Sequence, residues 1–82
     1  MMNHEFSASE TAEHVLGLQA SMEVIDSLIA ADVRTDEARD EMDRNVRHLE
    51  IMLGMAHIQQ SGHDFAPYTA AIEAGKAWLA AS

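Results

Sequence analysis

The chain predicts an all-α protein in which two long antiparallel helices are joined by a shorter third, as a three-helix bundle or a hairpin with one helix laid against it. Three observations carry this expectation. Hydrophobic residues fill 48% of the 82 positions while aromatics fill only 5%, so the apolar content is mostly aliphatic, with abundant Ala and Met, which favour helix over strand. Apolar positions recur at steps of three and four rather than two. Residues that cap or break helices stand where these stripes begin and end. A chain of this length has room for one domain, spanning 1–82.

The first helix is expected over about 7–31, where Val15, Leu18, Met22, Ile25 and Ile29 fall on one face. Ser7 followed three residues later by Glu10 fits a capping box, each side chain satisfying a backbone N–H that the first turn leaves open. A short break at Asp32, Val33 and Arg34 leads to Thr35 or Asp36 as the next N-cap. The second helix is expected over about 35–61, with Gly62 as the residue that can turn left-handed after it. Asp36, Glu37, Asp40 and Glu41 place negative charge at its positive end, and Asp40 with Arg44 and Asp43 with Arg47 have the i,i+4 spacing of ion pairs.

Gly62 and Pro67 mark the next turn, and a third helix is expected over about 65–81. Phe65, Tyr68, Ile72, Gly75 and Leu79 share a face there, with Ala70, Ala71, Ala74 and Trp78 beside it, so this helix can approach closely at its small residues. Short connections make successive helices antiparallel neighbours, which sets the third beside the C-terminal half of the second and the N-terminal half of the first. From Leu49 to Ile58 only Glu50, Gly54 and His57 interrupt an apolar surface, and that stretch is expected to be buried on several sides.

Fourteen Asp and Glu against five Lys and Arg give a net charge of -9, and the four arginines, Arg34, Arg39, Arg44 and Arg47, are interleaved with acids. No basic patch is available for nucleic-acid phosphate or an anionic membrane, so neither is expected as a direct partner. Residues 1–33 hold six acids and no Lys or Arg, which concentrates the negative charge on the first helix. The absence of cysteine excludes disulfides, a thiol nucleophile and thiolate metal sites. The N-terminus has no basic and apolar leader pattern and no apolar run reaches the length of a membrane span, so a cytoplasmic protein is expected.

No catalytic, cofactor or metal residues are expected. No two of the five histidines stand three or four apart on a helix, and His48 and His57 fall on opposite faces of the expected second helix. His14 follows Glu10 by four and Glu13 by one, a set that would hold metal only where a symmetric copy completed it. His63 and Asp64 are adjacent outside the helices, but neighbouring side chains diverge and Asp64 is placed to cap the third helix. Met22, Met42, Met52 and Met55 lie on or beside core faces and read as packing. There is no glycine-rich phosphate loop, nucleophile elbow or zincin motif.

In composition, and in no motif, the chain is similar to small acidic accessory proteins of bacteria and bacteriophages. The expected function is a non-enzymatic protein–protein interaction module that self-associates as a component of a larger assembly. The first helix offers Met22, Val24, Ile25, Leu28 and Ile29 to a narrow facing seam of Ala38, Met42 and Val46. The surplus, Val24 and Leu28 with Ser21 and Gly17 on the same side, is the expected two-fold contact of a homodimer. An alternative is an acidic inhibitor whose Glu23 and Asp26 face a basic, nucleic-acid-binding surface of a partner protein. A third is a metal-dependent site formed between subunits.

Overall fold

Ser7 opens the first helix as its sequence requires: in the computed structural model, which describes residues 7–81, the Ser7 hydroxyl accepts from the Glu10 N–H at 3.1 Å. The Glu10 carboxylate in turn accepts from the Ser7 N–H at 3.2 Å, completing the capping box. Helix α1 spans Ala8–Ala31 and ends at Asp32, which takes a left-handed conformation with φ 49°. Thr35 caps α2, its hydroxyl accepting from the Ala38 N–H at 3.1 Å.

Helix α2 spans Asp36–Leu53 and stops eight residues short of the expected end. Gly54 closes it and Met55 is extended, after which the four-residue α3, Ala56–Gln59, resumes in a new direction. Glycine is the weakest helix former after proline, and at Gly54 no side chain contributes to holding the axis straight. The consequence is visible in two isoleucines seven apart, which one continuous helix would place on the same face: Ile51 is 67% exposed and Ile58 fully buried. The expected all-round burial from Leu49 to Ile58 is therefore corrected, since the break turns Ile58 inward and leaves Ile51 in solvent.

Gly62 takes φ 80°, the left-handed turn its lack of Cβ permits, although it follows α3 and not a long second helix. The Asp64 carboxylate accepts from the Ala66 N–H at 3.0 Å as α4, Ala66–Ala80, begins, with Pro67 in its first turn. Four helices thus replace the expected three, and no strand occurs among the described residues.

The core is built from Leu18, Ile25, Met42, Leu49 and Ile58, all fully buried, with Val15, Val46, Tyr68, Ala71 and Trp78 around them. Gly75 is the point of closest approach between α4 and the hairpin: a Cβ there would stand 2.6 Å from Val46 Cγ2 and 3.1 Å from Met42 Sδ. This contact, with Ile25 on its third side, places α4 against the end of the hairpin near its turn. The expected position beside the other end is corrected. Because α2 ends early, α3 takes the place beside the first half of α1, and α4 runs on to the α1–α2 turn.

There the Trp78 indole N–H donates to Asp32 Oδ1 at 3.0 Å and the Arg34 guanidinium lies 4.4 Å from the Trp78 ring. Arg34 also donates to the Trp78 carbonyl at 2.6 Å and to Asp32 at 2.9 Å. The last turn of α4 contains no basic residue, so Arg34 supplies from another element the cation that a helix C-terminus attracts. Lys76 and Glu50, 2.7 Å apart, add a link from α4 to α2. Asp43 pairs with Arg47 at 3.0 Å as spaced, while Asp40 and Arg44 form no ion pair among the described residues. No helix among them is long and apolar enough to cross a membrane.

Candidate functional site

Helix α1 carries a shallow groove of about 600 Å³ lined by Ala20, Glu23, Val24, Ser27, Leu28 and Ala31 with Glu41 from α2. Val24 and Leu28 are half-buried there, and Leu28 also touches the core. Apolar positions four apart on one helix form a ridge, and the small Ala20, Ser27 and Ala31 leave hollows beside it. Glu23 and Glu41 give the groove an acidic rim.

The expected contact residues divide. Val24 and Leu28 line the groove together, but Ser21 is only 7% exposed and turned to α2, where its Oγ lies 2.7 Å from His48 Nδ1. Gly17 is half-buried, and a Cβ there would lie 3.8 Å from the same imidazole. Both residues face the His48 ring, which is itself exposed, and Ser21 is withdrawn from a surface a partner could reach. The acidic pair divides as well: Glu23 stands on the groove rim, whereas Asp26 is exposed and lies off it.

Ser21 with His48 has the distance of a nucleophile and its base, which sequence spacing alone did not bring together. The Ser21 hydroxyl is buried, while the His48 that it meets is exposed. Neither residue lines the groove on α1. The pair satisfies a buried hydroxyl within a helix interface.

A second pairing of histidine with α1 lies further from the turn. His14 Nδ1 and His57 Nε2 are 2.7 Å apart, their rings nearly edge to face with centroids separated by 4.9 Å. The break at Gly54 puts His48 and His57 on separate helices, so both reach α1 instead of pointing to opposite sides. Near His57, a cleft of about 340 Å³ is lined by Ala8, Thr11, Ala12, Gln60, Ser61 and His63. His63 Nδ1 lies 3.0 Å from Ser61 Oγ rather than on its neighbour Asp64, whose carboxylate is committed to the start of α4.

Of the acids beside His14, Glu10 is engaged in the cap and Glu13 is exposed. Among the described residues no group of three or more His, Asp or Glu is arranged to hold a metal ion. The signal for both cross-helix pairs was present in the hairpin itself, because residues about equally distant from an antiparallel turn face each other. Comparison with protein-family models, curated proteins and solved structures finds no match for this chain.

Proposed function

We propose that this chain is a non-enzymatic helical interaction module that associates with a second copy of itself through the groove on α1. The observation that carries the reading is the outward pair Val24 and Leu28, flanked by Ala20, Ser27 and Ala31. A two-fold contact needs a patch that complements itself, and large residues beside small ones along one helix meet that need. Two antiparallel copies can set the Val24 and Leu28 ridge of each into the hollows of the other. Full burial of an apolar side chain of this size contributes about 1.5 to 3 kcal/mol, and the half-buried Val24 and Leu28 would each recover part of that on both copies.

The acidic rim supports a second reading, in which the occupant is an apolar helix with basic flanks, as on a protein that holds nucleic acid. Carboxylates at Glu23 and Glu41 would then occupy the places of phosphates. Salt separates the two readings by sign. Self-association brings like charges together and is strengthened by screening, whereas a basic partner is bound less tightly as salt rises.

Light scattering on the unmodified chain should find a dimer at high micromolar concentration that tightens as salt is added. Val24→Asp and Leu28→Asp should leave a helical monomer of lower thermal stability. A chain that stays monomeric at every salt concentration overturns self-association. Binding of a basic amphipathic peptide that weakens with salt and with Glu23→Gln, but not with Asp26→Asn, would then support the second reading.

A further inference from the structure

We propose that His14 and His57 form a two-imidazole site for a late first-row divalent ion of the zinc, nickel or copper type, clasping α3 to the first half of α1. The two nitrogens come from different helices and point at each other across 2.7 Å. Two imidazole nitrogens bound to one tetrahedral ion at about 2.0–2.1 Å stand about 3.3 Å apart, so the rings, which meet nearly head-on with centroids 4.9 Å apart, must open by about 0.6 Å and each swing by about 35° to aim both lone pairs at it. The 67° angle between the ring planes keeps the rings from clashing as they open.

Proton balance is simple. In the metal-free pair one facing nitrogen donates its hydrogen to the other; on binding, that proton leaves for the other ring nitrogen or for solvent, and both facing nitrogens become lone-pair donors. Imidazole nitrogen suits zinc, nickel and copper, whereas calcium and magnesium prefer oxygen ligands.

The remaining coordination positions would be filled by water. No third His, Asp or Glu completes a set among the described residues, and His57 borders the 340 Å³ cleft with Thr11, Gln60, Ser61 and His63. That volume accommodates several waters at about 30 Å³ each on the His57 side of the pair. Helix α3 has four residues and buries Ile58, so exchanging the His57–His14 hydrogen bond for bonds to a shared ion would tie this short element more firmly to α1.

The test uses the whole metal-free chain. Calorimetry should find one Zn²⁺ or Ni²⁺ per chain, with a raised thermal midpoint that Mg²⁺ does not reproduce. Electron paramagnetic resonance of the Cu²⁺ form should show two coupled nitrogens. Binding should be lost in His14→Gln and in His57→Gln and kept in His48→Gln. No heat and no rise in midpoint with Zn²⁺, a copper spectrum with fewer than two nitrogens, or binding that survives both substitutions would overturn the proposal. The copper spectrum is read on the unmodified chain, so a count below two nitrogens overturns the proposal even where a variant fails to fold.

Discussion

Gly75 decides how closely α4 can approach the hairpin, and the smallest possible addition tests it. A methyl group there meets Val46 Cγ2 at 2.6 Å, and Val46 is itself buried with little room to move. Gly75→Ala should therefore lower stability by about 1 to 3 kcal/mol through overpacking, despite the helix propensity alanine brings. The shift in denaturant midpoint measures it. Asp32 offers a second test, since it combines a left-handed backbone with a carboxylate that receives the Trp78 indole N–H. Alanine at this position bears the left-handed penalty of about 1 to 2 kcal/mol and removes the acceptor, whereas asparagine tolerates the backbone and keeps an oxygen. Asp32→Ala should shift the emission of the single tryptophan to the red, and Asp32→Asn should not. The caps at Ser7 and Thr35 and the small-residue approach at Gly75 were legible in the sequence because each depends on residues close in the chain. The grouping of Asp32, Arg34 and Trp78 was not, because it joins a turn to a helix end more than forty residues away.

At the scale of elements, the break after Leu53 reorganises the second half of the chain. Apolar patterning read the stretch from Leu49 to Ile58 as one buried helix because its composition is apolar almost throughout, and periodicity gives no warning where nearly every position qualifies. Gly54 was the available signal, yet it fitted equally well as part of a polar stripe. Two substitutions separate a continuous helix from the broken one. Ile58→Ala should cost about 2 to 5 kcal/mol, as loss of a fully buried side chain does. Ile51→Ala should stay within about 0.5 kcal/mol, as a surface change does. Equal costs at both positions, measured by urea denaturation, would restore the continuous helix. The break bears on one of the two cross-helix pairs: His57 meets His14 after the chain changes direction, whereas Ser21 and His48 precede it and face each other at about equal distance from the hairpin turn.

The whole molecule is elongated, 46 × 25 × 17 Å, with α1 along its length and α4 and α3 dividing the coverage of one side between them. The imbalance that pointed to a two-fold contact was larger in the sequence than it is in the fold, because α4 reaches the turn and buries Ile25 while Met22 and Ile29 pack against the core. Val24 and Leu28 remain at the groove, so the candidate surface is narrower than expected and keeps its acidic rim. Its central role is open to one direct measurement. Sedimentation equilibrium of the unmodified chain at high micromolar concentration and raised salt should return twice the 9.0 kDa of one chain, and Val24→Asp should return a single chain with its helicity intact. A mass of one chain for the unmodified protein, or a dimer that Val24→Asp leaves unchanged, would contradict the groove on α1 as the surface of self-association.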